Sequence, residues 1–127
     1  MKRTRSPFAL EAGIFSVLAH TARLHILQLM REGEVCVCHI QAVLGQRQAY
    51  ISQHLIALRQ AGLVRSRRDG LRVYYRVTDP RILAVLDSVQ GLAWPQAKRL
   101  RRPPTRWTLA PPQGRCKCPQ CASTPPC

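Results

Sequence analysis

Two groups of cysteines hold the residue types best suited to chemistry in this chain. Cys36 and Cys38 flank Val37, and Cys116, Cys118, Cys121 and Cys127 lie far downstream around Lys117, Pro119 and Gln120. Thiols at such spacings bind soft ions as thiolates, or pass reversibly through sulfenate and disulfide. Cys36 and Cys38 fall at the start of a predicted helix, whose N-terminus favours negative charge and so favours the thiolate of Cys38. On an ideal helix, side chains two residues apart diverge by about 200°. The two sulfurs therefore meet on one ion only where the first turn is unwound or not yet helical. The downstream group has three readings: it completes the Cys36/Cys38 site, it forms a four-thiolate zinc or cadmium site, or it collects metal as a loose arm. No second Cys-x-x-Cys stands at zinc-ribbon distance, which disfavours an independent folded module. The plainer alternatives are a small buried apolar pair for Cys36 and Cys38, and incidental thiols in a disordered tail.

Other chemistry has little support. There is no glycine-rich phosphate loop, and the six carboxylates sit at caps and turns without forming a catalytic pair, so an enzyme is not expected. Of the four histidines, His39 follows Cys38 and is a substitute ligand for zinc, while His20 and His25 read as surface or core-edge residues. The charge is distinctive: 20 Lys and Arg against 6 Asp and Glu give +14. Seventeen of the cations are Arg, whose planar fork pairs with phosphate and with guanine edges. Such a field draws polyanions and makes binding steeply salt-dependent. No apolar run approaches the ~20 residues that span a bilayer. The basic start followed by Phe8 to Ala19 imitates a signal peptide, but Glu11 interrupts it, and Phe8, Ala12 and Phe15 share one helical stripe. A cytoplasmic location without a membrane partner is expected, where cysteines serve as thiols rather than structural disulfides.

Composition divides the chain near Trp94. Residues 1–93 carry the periodicities of a folded domain, whereas residues 94–127 hold eight of the ten prolines and four of the six cysteines and read as a tail. In the first part the patterns predict helices over about Pro7 to His20, Thr21 to Gly33, Val37 to Leu44 and Arg47 to Ala61. Gly45 stops the third helix, and Ile51, Leu55 and Leu58 stripe the fourth. Leu63 to Arg68 and Leu71 to Val77 read as strands joined at Asp69-Gly70, with Val73, Tyr75 and Val77 on the buried face. Asp79-Pro80 opens a last helix with Ile82, Leu86 and Val89 on one stripe.

The elements add up to a mainly α fold with a small hairpin wing: a winged helix-turn-helix. The second helix of such a pair enters the major groove of double-stranded DNA by its N-terminal end. Gln48, Tyr50, Ser52 and Gln53 stand there, beside or away from the apolar stripe. Gln pairs with adenine edges, and Ser more often holds phosphate. Arg65, Arg67, Arg68 and Arg72 gather around the hairpin tip, in reach of backbone or minor groove.

Over about residues 8–90 the chain resembles the ArsR/SmtB metalloregulators. The resemblance rests on Glu34 to Ile40, Gln53-His54-Leu55, Ala61 to Val64, and Arg67 to Gly70 with Tyr74-Tyr75. It implies a homodimer joined by the first and last helices, repression in the ion-free state, and release from operator DNA when an inducer binds. It places Cys36 and Cys38 where arsenic-, cadmium- and lead-responsive members hold the inducer, with As(III) favoured and Cd(II), Pb(II) or Zn(II) as further candidates. It also puts His54 on the reading helix. Three departures stand out. The third cysteine of some arsenic-responsive relatives is matched here by Gln41, so a third sulfur has to come from elsewhere, and Cys116, Cys118, Cys121 or Cys127 are the donors available. Arg47 replaces the usual small polar cap, and Tyr50 stands where Thr is frequent, so the operator cannot be transferred from relatives. Asp79 and Asp87 have no histidine beside them in the last helix, which favours sulfur over the zinc site that some relatives build there. The rival functions are a thiol-based redox-sensing repressor of the same fold and a cysteine-rich metal carrier.

Overall fold

The computed structural model describes residues 6–99. Helices α1 (Ala9–Leu18) and α2 (Thr21–Leu29) come first, and α2 tightens into a 3-10 turn over Met30–Glu32. The expected helix to Gly33 is thus shortened. Gly33, at φ 129°, takes a backbone conformation that other residues rarely adopt. A two-residue strand, β1 (Val35–Cys36), then leads directly into α3 (Val37–Leu44). Gly45 turns the chain in a left-handed conformation (φ 63°), its N–H donating to the Gln41 carbonyl at 2.8 Å. Arg47 is extended, and α4 runs over Gln48–Gln60. Strands β2 (Val64–Asp69) and β3 (Arg72–Val77) form the hairpin, and α5 (Arg81–Arg99) follows.

The core shows why these elements assemble. Ile26 and Leu27 of α2, Ile40 of α3, and Ile51, Leu55 and Leu58 of α4 are all but inaccessible to solvent, each burial contributing about 1.5–3 kcal/mol. The 3.6-residue stripe read from the sequence is the one that packs. The α3–turn–α4 pair and the basic hairpin form a winged helix-turn-helix, as expected.

Three details of the sheet depart from the sequence reading. The hairpin loop is Gly70-Leu71 rather than Asp69-Gly70, because Asp69 pairs with Arg72 across the strands. Gly70 has φ 61°, the positive value needed at the first loop position of the tight hairpin turns. Second, β1 adds a third strand to the sheet, in the order β1-β3-β2, with Val35 opposite Tyr75 and Cys36 opposite Tyr74. Third, that pairing makes Tyr74 the buried residue of β3, while Tyr75 and Val77 pack only partly against the core. At the far end, Asp79 accepts the Arg81 backbone N–H at 2.9 Å and caps α5. The helix continues beyond residue 93 to Arg99, with Pro95 inside it.

Candidate functional site

The thiol pair is built by the junction of β1 with α3. Cys36 keeps an extended backbone (φ −90°, ψ 161°), so it stands outside the helix, and its Sγ accepts the His39 N–H at 3.4 Å as the N-cap of α3. Cys38, in the first turn, brings its Sγ to 2.9 Å from that of Cys36. The condition set by helix geometry is met because one partner is not helical. Cys36 is buried and Cys38 exposed, so the pair opens to solvent on one side. His39 is half-buried, and desolvation lowers its pKa, favouring the neutral ring. Among the described residues no group of three or more His, Cys, Asp and Glu side chains is placed to hold an ion. Cys116, Cys118, Cys121 and Cys127 lie outside the described residues.

A closed circuit of contacts ties this junction to the wing. Glu34, two residues before Cys36, accepts two hydrogen bonds from Arg67 of β2, at 3.0 Å from Nε and 3.2 Å from Nη2. The Arg67 guanidinium lies 5.0 Å from the Tyr74 ring centroid, within cation–π range. Tyr74 in turn pairs with Cys36 across the sheet. The Arg67 side chain holds the Glu34 carboxyl below its ordinary pKa. The sequence reading places Arg67 at the hairpin tip within reach of DNA and does not pair it with Glu34, since the two are 33 residues apart.

On α4, Gln48, Tyr50 and Gln53 are exposed, while Ser52 and His54 are half-buried. His54 is anchored: its Nδ1 accepts from Arg23 Nε at 3.0 Å, and its ring meets Tyr50 edge-on at 4.6 Å. On the wing Arg65 and Arg68 are exposed and Arg72 is half-buried, with its Nη1 shielded from solvent and without a hydrogen-bond partner. Arg76, which the sequence reading passed over, is exposed directly opposite Arg65. Like charges facing across a ladder are destabilising, and a polyanion beside them relieves the repulsion. The strand register was the signal that could have found it.

The two carboxylates of the last helix region are occupied by arginines. Asp79 takes Arg81 at 2.6 Å, and Asp87 takes Arg31 at 2.7 Å.

The histidines make stability pH-dependent. Burial holds the His54 pKa below its ordinary 6.5, and the neighbouring charges of Arg23 and His20 add to the effect. The unfolded chain therefore takes up this proton at higher pH than the folded one, so stability falls as pH drops below 6.5. Burial shifts His25 and His39 the same way. Glu34 and Asp79 are held below their own ordinary values of 4.5 and 3.8, so their contributions are lost only in more acid solution. A denaturation midpoint lower at about pH 5.5 than at about pH 7.5 is expected, with a shallower dependence in His54→Gln. An equal slope in that variant would show that His54 does not titrate in this window.

Comparison with known proteins agrees with this geometry. The family described as bacterial regulatory protein, arsR family, matches residues 20–66. The arsenical resistance operon repressor of Escherichia coli K12 is 41% identical over 88 residues, covering 68% of this chain and 74% of that protein. The cadmium resistance transcriptional regulatory protein CadC of Listeria innocua is 36% identical over 77 residues, covering 60% of this chain and 65% of that protein. Among solved structures, that of Rv0081 from Mycobacterium tuberculosis superposes with a TM-score of 0.67 at 35% identity, covering 75% of this chain and 98% of that one. The homodimeric winged helix-turn-helix DNA-binding domain of Mb0332 from Mycobacterium bovis gives 0.61 at 33% identity, covering 73% and 90%. A reading helix, an arginine-rich wing and these relatives converge on one identity: the chain belongs to the arsR family of bacterial regulatory proteins.

Proposed function

We propose that this protein is a transcriptional repressor that binds operator DNA as a homodimer and releases it when Cys36 and Cys38 take up a thiophilic ion, with As(III) favoured over Cd(II), Pb(II) or Zn(II). The observation that carries the reading is the 2.9 Å approach of the two sulfurs at the β1–α3 junction. The relatives whose names refer to arsenical and cadmium resistance support the class of inducer. The arginine pairing of Asp79 and Asp87 supports sulfur over a carboxylate site in the last helix. A third thiolate is supplied in this reading by Cys116, Cys118 or Cys121 of the tail.

The chain's own residues supply the switch. Cys36 and Cys38 would hold the ion at sulfur distances of about 2.3 Å. Two sulfurs sharing an ion at that distance would stand farther apart than the present 2.9 Å, so the pair would have to separate to share it. Cys36 cannot move alone. Its sulfur caps α3, which packs on the reading helix, and its backbone pairs with β3 of the wing. The Glu34–Arg67 link pulls on the same wing. Displacing one residue thus disturbs both DNA-contacting elements.

The test is binding to the promoter fragment of the protein's own gene, under reductant, with ions added singly. Stoichiometric release by As(III) is expected, with affinity falling by about 5–150-fold, the usual span of allosteric coupling. An ion-loaded dimer that keeps its operator would end the proposal. The sulfur contact also suits disulfide formation, and release by peroxide alone, reversed by thiol, would favour the redox-sensing alternative. A chain ending after Arg99 is expected to bind DNA normally and the ion more weakly. Unchanged ion affinity would remove the tail from the site.

A further inference from the structure

Tyr50 stands in the first turn of α4 and is 40% exposed, but its ring is not left to itself. It packs edge-on against the His54 ring, four residues on, with centroids 4.6 Å apart and planes at 77°. The His54 ring is fixed in turn from another helix: Arg23 of α2 donates from Nε to Nδ1 at 3.0 Å. A second nitrogen of the same guanidinium, Nη1, donates to the Val17 carbonyl of α1 at 3.0 Å. Because Nδ1 accepts, a neutral His54 carries its proton on Nε2. The His20 ring completes the cluster, 5.8 Å from His54. Three helices are thereby engaged in setting the orientation of one aromatic side chain at the DNA-reading end.

We propose that Arg23 and His54 are positioning residues that hold Tyr50 in a base-reading orientation, so that operator preference depends on a half-buried arginine of α2. This rests on the reading that α4 enters the major groove. A tyrosine has two side-chain torsions to restrain, and its ring and hydroxyl suit apolar contact with a thymine methyl and hydrogen bonding to a base edge. A ring free to turn would make these contacts only part of the time. Fixing the torsions before binding removes that loss. Arg23 suits the task because its planar fork serves two acceptors in fixed directions, which the single ammonium of lysine does not. His54, placed on the reading helix by the family resemblance, acts here through Tyr50.

The test is selection of binding sites from randomised duplex DNA by the full-length protein, with melting curves and dimer mass as folding controls. Tyr50→Ala should flatten one base pair in each half-site that the parent discriminates by about 10-fold. Arg23→Lys and His54→Phe should flatten that same pair several-fold, leaving the other positions, affinity for mixed-sequence DNA and the salt dependence unchanged. Retained preference at that pair in both variants would overturn the proposal, as would retained preference in Tyr50→Ala. A parent protein without any sequence preference would instead overturn the underlying reading of α4. Imidazole nitrogen NMR of the parent gives an arm independent of folding of the variants. The Nε2–H form of His54 is expected, and the Nδ1–H form would overturn the Arg23 link.

Discussion

Replacing Cys36 or Cys38 by serine is expected to leave operator affinity within about twofold of the parent while abolishing release by the ion. Loss of an outer hydrogen-bond partner of a metal ligand already costs 10–100-fold in affinity, so removing a ligand should raise the ion concentration for half-release by well over about 100-fold. The structure explains why the two halves of this result separate. Cys36 is 3% exposed, and a polar substitution at so buried a site would ordinarily threaten the fold. Its sulfur, however, accepts the His39 N–H as an N-cap, and serine is among the preferred residues for that task. Cys36→Ala lacks the cap and should cost about 1 kcal/mol of stability as well. Cys38 is exposed, and its serine variant should fold as the parent does. Fluorescence anisotropy on the promoter fragment, with and without As(III) under reductant, reads both quantities. A serine variant released at the parent's ion concentration would show that the pair is not the sensor.

The second large effect concerns dimerisation. Eight of the eleven exposed large apolar side chains among the described residues belong to two stretches: Phe8, Leu10, Ile14 and Phe15 at α1, and Val85, Val89, Leu92 and Trp94 on α5. Apolar hollows flank the same helices. One of about 210 Å³ lies between Leu24 of α2 and Leu86, Val89 and Ala93 of α5, and one of about 390 Å³ is bordered by Ile14, Leu18, Ile82 and Val85. Side chains of a second copy filling these hollows would remove several large apolar groups from water, each contributing about 1.5–3 kcal/mol when fully covered. Phe15→Glu and Leu92→Glu place a charge on that surface without touching the core, since the parent residues are 58% and 72% exposed. Each variant should sediment as a folded monomer. Operator affinity should fall by at least about 1,000-fold, the lower end of the gap between specific and non-specific binding, because one half-site contact must then suffice. A dimer surviving both substitutions would place the interface elsewhere, and a monomer that bound the operator undiminished would remove the dimer from the mechanism.

The sequence alone was sufficient for the kind and order of the helices, the presence of the hairpin and the thiol motif, though not for the loop position, because each is encoded by neighbours in the chain. Ile51, Leu55 and Leu58 recur at the helical period, Gly45 can adopt the left-handed turn, and Asp79 precedes Pro80 as a cap. Only the tertiary structure decided what those parts do together. Strand β1 is two residues long and is held by hydrogen bonds to β3, some forty positions away, so no local pattern announces it. It is nevertheless what takes Cys36 out of the helix and lets its sulfur reach Cys38. Glu34 with Arg67, and Arg23 with His54, are likewise separated by 33 and 31 residues. Periodicity and capping report interactions within a turn or two of the chain, whereas such pairs form only once packing has brought distant elements side by side.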